Sequence, residues 1–425
     1  MNIDYSIPVR DSNSWETLKT PFIYAKRHFH LLGMGLLFNR TLPAPIMHYP
    51  ELLKHVVLGS LNCIPLVNYG VAYLEKSLNQ RVLKVIRLQS TTPYEMGVEQ
   101  GQLLKEEINR AVYKFLPIFK FSMQCQGMSP LEEAQKLEMH IPEDYRQEMR
   151  GMADGAGIPY NELLIVNTTM DVMRLFGCSL YAFSNHTNEN TNTKVCATNY
   201  FASLGQGRNV ADVDQSFLRY NNLQSHAESS DIDSLKEALL KVNYYDTVQS
   251  IVFDVNARDI HLATASEYAA NTSYTHLKGE SLFSSSIAPT TENVVRLART
   301  LDWPLPVLGP ETFVLVRPSS DGKKATAVVG WPGFLGALSG INDQGTAISI
   351  SVVPSVTQKG IPNQFLFRQI LEECSTIADA QTCVQQASPA SPMNLVVAAA
   401  DGVAKFELDP ARATSGAAHI VSTIQ

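Results

Sequence analysis

The chain is poor in charge, in tryptophan and in basic residues. Asp, Glu, Lys and Arg make up 18% of its 425 residues, and 41 acids outnumber 34 bases, for a net charge of −7. No basic field is available to wrap a polyanion, which excludes nucleic acid as a partner. No CxxC pair occurs. Cys63, Cys125, Cys178, Cys196, Cys374 and Cys383 are scattered, as are the ten histidines. So thin a spread shows no zinc-type spacing and reads as reduced thiols rather than a disulfide framework, so neither metal nor cofactor is expected. The opening residues, MNIDYSIPVRDSNSWETLK, lack the charged start and apolar stretch of a signal peptide, and a cytoplasmic chain is the expectation. Long apolar runs are missing too. Residues 55–75, the most apolar stretch of the front end, hold two Asn, two Gly and a Pro, a marginal fit to the roughly 20 apolar residues of a membrane span. A helix packed on the main body is the reading preferred there, with membrane contact through this extension as its alternative.

What is present is an ordinary globular core composition, 45% hydrophobic, enough for one or two domains. Residues 1–85 read as an extension of short helices broken at Pro43, Pro45, Pro50 and Pro65. Residues 81–88 alternate like a strand. Thr92 and Pro93 open a helical stretch through residue 122. Further helices begin at Met128–Pro130, Ile141–Glu143 and Pro159–Glu162, the last ending near Arg174. After Gly177 the pattern changes to strands at 179–183 and 195–201. Two helices follow within 215–243, then a hairpin at 247–254 and 259–263. Short strands are expected near 294–301, 312–317, 325–330 and 346–353. Helices at 362–373 and 377–387 and strands at 394–399 and 403–408 complete the chain. This order predicts a layered α+β architecture, divided into an extension (1–85), a helical part (86–177) and a β-rich part (178–425).

Gly177-Cys178-Ser179, where helices give way to strands, carries the sharpest chemical signal. A free thiol has a pKa of about 8.5 and needs a base. A chain cut before Cys178 would supply one, since a new α-amine titrates at about 7.7–8 on the same residue. The bland alternative is a buried structural cysteine. Downstream, Arg299 and Asp302 could hold an ammonium or a substrate carboxylate, and Asn342 could donate to an oxyanion. Three residues apart on a strand, Arg299 and Asp302 face opposite sides. Asn342-Asp343-Gln344-Gly345 is equally good turn sequence.

Several motifs together resemble one family. They are Thr92-Pro93-Tyr94-Glu95-Met96-Gly97 with Gly101, the helical stretch Tyr145 to Asn167, Gly177-Cys178-Ser179, Arg299-Thr300-Leu301-Asp302-Trp303, Trp331-Pro332-Gly333-Phe334 with Gly340-Ile341-Asn342, and the segments from Gly360 to Cys374 and Asn394 to Pro410. From about residue 84 onward the chain resembles the acyl-coenzyme A:6-aminopenicillanic acid acyltransferase family of N-terminal-nucleophile (Ntn) hydrolases, which has carcinine-hydrolase-like members and is related to the acid ceramidases. The resemblance implies a four-layer αββα sandwich and self-cleavage at Gly177/Cys178. It also implies hydrolysis or transfer of an amide-linked acyl group, with a small acylated amine, amide or lipid amide as substrate. Cys178, Arg299, Asp302 and Asn342 occupy the motif positions.

The segment order departs from that pattern. Cys178 and Asp302 lie 124 residues apart, where the family separates its nucleophile from this motif by a short interval. The stretch between, from Ala197 to Ala263, is similar to the family's C-terminal piece. Ser284, 18 residues before Asp302, is therefore a rival nucleophile. Thr300 stands where the motif has Asn. Asn199 follows Thr198 as in the family's Thr-Asn-His, with Tyr200 in place of His. These departures keep a second reading open, a catalytically inactive member acting as a binding or interaction protein.

Overall fold

The computed structural model describes residues 83–125, 127–173, 177–186, 191–199, 216–226, 231–283, 293–303, 306–353, 360–410 and 419–424. The expected short helices before residue 83, and Ser284, lie outside them. Residues 81–425 form one compact unit.

Among the described residues the strands fall into two sheets. The first has eight strands in the order β1 (Lys84–Arg87), β8 (Phe313–Arg317), β9 (Thr326–Gly330), β10 (Ser339–Asn342), β11 (Ala347–Val352), β12 (Met393–Ala399), β13 (Gly402–Asp409) and β14 (His419–Ile424). All its neighbours are antiparallel except β1 and β8. The second has six, in the order β3 (Thr191–Ala197), β2 (Gly177–His186), β7 (Asn293–Asp302), β4 (Thr247–Asp254), β5 (Asp259–Thr264) and β6 (Thr275–Leu277). β7 inserts between β2 and β4, so segments distant in sequence become neighbours.

The two sheets share one apolar core. Ile251, Phe253, Leu262 and Leu297 of the six-stranded sheet lie in the same cluster as Val314, Val329, Ile341 and Val396 of the eight-stranded sheet. Burying each such side chain contributes about 1.5–3 kcal/mol, which makes this contact the main driving force for stacking. Helices pack against the sheets as well. Leu223 of α8 (Ser216–Ser225) and Leu235 and Leu239 of α9 (Ile232–Lys241) pack against Val252 and Ala298. α11 (Asn363–Glu373) lies so close to β10 that a Cβ on Gly340 would come within 2.8 Å of Leu371. α12 (Ile377–Gln386) follows behind a reciprocal Thr376/Asp379 capping box.

The front of the unit is helical: α1 (Pro93–Leu103), α2 (Lys105–Arg110), α3 (Leu116–Cys125), α4 (Pro130–Glu138), α5 (Glu143–Ala156), α6 (Tyr160–Val166) and α7 (Thr169–Met173). The single stretch expected from 94 to 122 is instead divided, with a break at Leu104 and a π-turn over Ala111–Phe115. α1 and α5 cross backbone to backbone. A Cβ on Gly97 would fall inside the radius of the Glu148 carbonyl, and one on Gly151 inside that of Tyr94. A short α10 (Gly279–Phe283) completes the helices of the described residues.

Buried charge ties this helical part to the eight-stranded sheet. Glu148 of α5 receives Arg317 of β8 at 3.1 Å and Arg368 of α11 at 2.5 Å. Arg368 also bonds Glu372 at 2.6 Å, and the Tyr145 hydroxyl donates to Glu372 at 2.8 Å. No helix among the described residues is long and apolar enough to cross a membrane.

Candidate functional site

The site lies where the start of β2 meets the end of β7. The register is continuous: Gly177 pairs with Asp302, Cys178 with Leu301 and Leu180 with Arg299. On the other flank β3 pairs Leu180 with Ala197. The pairing ends there, and Thr198-Asn199 follow directly after β3. At backbone level Cys178 thus has the motif strand β7 as its neighbour, and the chain that pairs with β2 on the other flank leads on into Thr198-Asn199.

Asp302 is buried and held by two donors. The Thr247 hydroxyl, opposite it on β4, donates to Oδ1 at 2.5 Å, and Arg219 of α8 makes an ion pair with Oδ2. The same guanidinium donates to Asn199 Oδ1 at 3.2 Å, and Asn199 Nδ2 donates to the Val352 carbonyl at 2.8 Å. An Asp–Arg–Asn chain therefore runs from β7 through α8 to the end of β3 and on to β11. Sequence reasoning missed Arg219 and Thr247. A signal for Arg219 was present: it falls between Ser216 and Leu223 on the buried stripe of α8, while Phe217 and Leu218 face outward.

Arg299 leaves the opposite face of β7, as the alternation requires. It is fully buried and reaches the eight-stranded sheet, donating to the Leu338 carbonyl at 3.1 Å and to the Ser339 hydroxyl. Ser339 in turn lies 3.4 Å from Ser349. Ser351, Asn394 and Glu407 form a row across β11, β12 and β13, all buried. Asn394 donates to the Thr198 carbonyl at 2.8 Å, and Lys405 pairs with Glu407 at 2.8 Å. At this end the layer between the sheets thus changes from hydrocarbon to hydrogen-bonding groups.

Asn342 does not join these residues. It stands an odd number of positions from Ser339 and points toward α11. Its Nδ2 donates to the Leu371 and Cys374 carbonyls at 2.9 and 2.8 Å, and its Oδ1 accepts from the Gln344 and Thr346 amides at 3.1 and 2.8 Å. Both amide hydrogens are committed, so no donor is left for an oxyanion, and the side chain clips a turn to the end of a helix. The turn reading of Asn342–Gly345, with Gly345 at φ 86°, is the one that holds.

An aromatic patch adjoins Asp302. The ring of Trp303 packs at 4.4 Å against Trp331 and edge-on at 6.3 Å against Phe119. Trp331 Nε1 and Gln249 Nε2 both donate to Thr312 Oγ1, at 3.1 and 3.0 Å. Next to it in sequence, Glu311 sits 3.4 Å from Arg110, and burial pushes its carboxyl up to about 7. A surface depression of about 540 Å³ is lined by Ser319–Lys324, Asp343, Gln344 and Ser375, none of which belongs to this cluster.

Residues 290–423 match the family described as acyl-coenzyme A:6-aminopenicillanic acid acyl-transferase. The resemblance read from the motifs therefore holds over that segment, which contains Arg299 and Asp302; Cys178, Asn199, Arg219 and Thr247 precede it. Among curated proteins, the chain is 31% identical over 94 residues to an uncharacterized protein of Archaeoglobus fulgidus, covering 19% of this chain and 16% of that one. It is 29% identical over 120 residues to Protein dcd1A of Dictyostelium discoideum, covering 23% and 27%. The similarity thus spans about a quarter or less of these relatives' lengths.

Proposed function

We propose that this chain, whose residues 290–423 carry the acyl-transferase family segment, is an Ntn-type cysteine hydrolase or acyltransferase acting on an amide-linked acyl group. The observation that carries the reading is the pairing of Gly177-Cys178 with Leu301-Asp302 beside the buried Asp302–Arg219–Asn199 chain. The two stacked sheets with helices against them suit the αββα arrangement of that class. The domain division, a 1–85 extension followed by a rearranged Ntn-like domain, is part of the same proposal.

Cleavage of the 177–178 peptide bond by water would free the Cys178 amine. That amine takes the thiol proton, and the thiolate attacks the substrate's carbonyl carbon. Asn199, two residues past the end of β3 and held by Arg219, replaces Asn342 as the donor to the oxyanion, a contribution of about 2.7–4 kcal/mol when preorganised. The tetrahedral intermediate expels the amine, which leaves with the proton held on the Cys178 ammonium. Water or an acceptor amine then attacks the thioester and releases an acid or a new amide. Asp302, fixed by Arg219 and Thr247, orients the Cys178 ammonium. Arg299 sets the polar layer between the sheets, and the Trp303–Trp331–Phe119 patch offers apolar surface to the acyl group.

Intact mass of the purified protein under denaturing conditions, with Cys178→Ala beside it, tests this. Two fragments meeting at Gly177/Cys178 in the wild type alone are expected. Cleavage before Ser284 would move the nucleophile there. An uncut chain unreactive toward thiol-directed acyl probes would favour the binding-protein reading.

A further inference from the structure

Asp259, His261 and His276 meet on the hairpin at the outer edge of the six-stranded sheet. Asp259 and His261 are two apart on β5 and share a face, and His261 pairs directly with His276 on β6. The two imidazoles stack at 4.2 Å with planes 10° apart. His276 Nε2 lies 2.6 Å from Asp259 Oδ2, and one ligand atom from each of the three residues falls within 4.8 Å of the others. The second Asp259 oxygen is fixed by the Gly279 amide at 2.8 Å.

A His–Asp ion pair alone would account for two of these groups and would contribute little at so exposed a place. It leaves His261 unexplained. Its ring lies stacked on His276 and within ligand distance of Asp259, an arrangement the ion pair does not require. The nearby cations are already matched: Lys236 bonds Asp233 at 2.8 Å, and Arg296 bonds Asp254 at 2.7 Å.

We propose that Asp259, His261 and His276 form a binding site for one divalent transition-metal ion of the zinc type, clasping the edge strand β6 to β5. Two imidazoles and a carboxylate with room for water are a donor set such ions take, at about 2.0–2.2 Å per bond. The Gly279 amide serves as the supporting contact that orients Asp259. The site is structural rather than catalytic. His261 pairs with Val252 on β4, five residues along from Thr247, which pairs with Asp302, and that separation alone is about 17 Å. The proposal does not depend on the acyl-transfer reading.

The experiment titrates the full, metal-stripped chain with Co²⁺ and Zn²⁺. It follows cobalt d–d absorption and the thermal midpoint, in the wild type, His276→Ala and Asp259→Asn. His276 is exposed, so its loss leaves the fold intact. One cobalt per chain is expected, without thiolate charge-transfer bands, together with a raised midpoint in zinc. Each variant should bind about tenfold or more weakly. A wild type that takes up no metal at about 1 mM overturns the proposal, as does His276→Ala binding with wild-type affinity.

Discussion

Asp302 and Arg219 are both sealed from water, so removing either leaves a buried charge without its counterpart. Arg219→Ala should cost about 3–5 kcal/mol in chemical denaturation. Arg219→Lys should recover only part of it, since an ammonium cannot bridge Asp302 and Asn199 at once. Equal stability of all three proteins would show the pair to be incidental. Asp171, on α7, behaves in the opposite sense. Its Oδ1 accepts from the Ser391 hydroxyl at 2.6 Å and the Asn363 amide at 3.2 Å, but complete burial raises its pKa from 3.8 to about 6. The folded state therefore holds this proton more tightly than the unfolded one. The stability it contributes is complete below about pH 3.8 and is lost as pH rises through about 6. Asp171→Asn should flatten that part of the profile, narrowing the difference in unfolding free energy between pH 4 and pH 7.5 by about 2 kcal/mol. Parallel wild-type and variant profiles would contradict this. At this scale Arg299 and Asp302 were legible because a motif marks them. Arg219, Thr247 and the fate of Asn342 were not, because strand parity and a helix arriving from elsewhere decide which side chains meet.

The crossing of α1 and α5 depends on small residues. With no space for a methyl between Gly97 and the Glu148 carbonyl, Gly97→Ala must push the helices apart. The expected loss is about 1–3 kcal/mol for overpacking, with further loss because Glu148 anchors Arg317 and Arg368. Circular dichroism melts of Gly97→Ala beside Gly127→Ala provide the comparison. Gly127 has open space around it, and its φ of 73° makes that change a backbone effect alone. Elements with strong periodicity were readable in advance, the β4–β5 hairpin and helices α9 and α11 among them. β10 was not. Ser339-Gly340-Ile341-Asn342 is short and mostly polar, and it is a strand because Arg299 and α11 satisfy its polar side chains from either face. The three-residue β6 was hidden for the same reason, and with it the approach of His276 to His261.

For the whole unit, the first strand matters out of proportion to its length. β1 covers the edge of β8 in parallel register from Lys84 with Phe313 to Arg87 with Val316, and Arg87 reaches the Ser281 carbonyl at 2.9 Å. A chain starting at Arg81 should unfold in one transition. One starting at Gln89 uncovers the apolar edge Phe313–Arg317 and should self-associate in light scattering. Identical monomers from both would mean the edge is protected by other means. The mixed helix-and-sheet class was readable from the order of patterns along the chain. The insertion of β7 between β2 and β4 was not, because pairing across more than a hundred residues leaves no local trace in composition or periodicity.

That insertion has a consequence for a chain opened between Gly177 and Cys178. The downstream piece would keep β2 zipped between β3 and β7. The upstream piece would keep β1 laced into the other sheet and Glu148 locked to Arg317 and Arg368. Neither could leave without tearing a sheet edge and a buried ion cluster. The two polypeptides would travel as one particle, in effect a heterodimer made from a single message, and halves 1–177 and 178–425 supplied separately are natural partners for split-protein complementation.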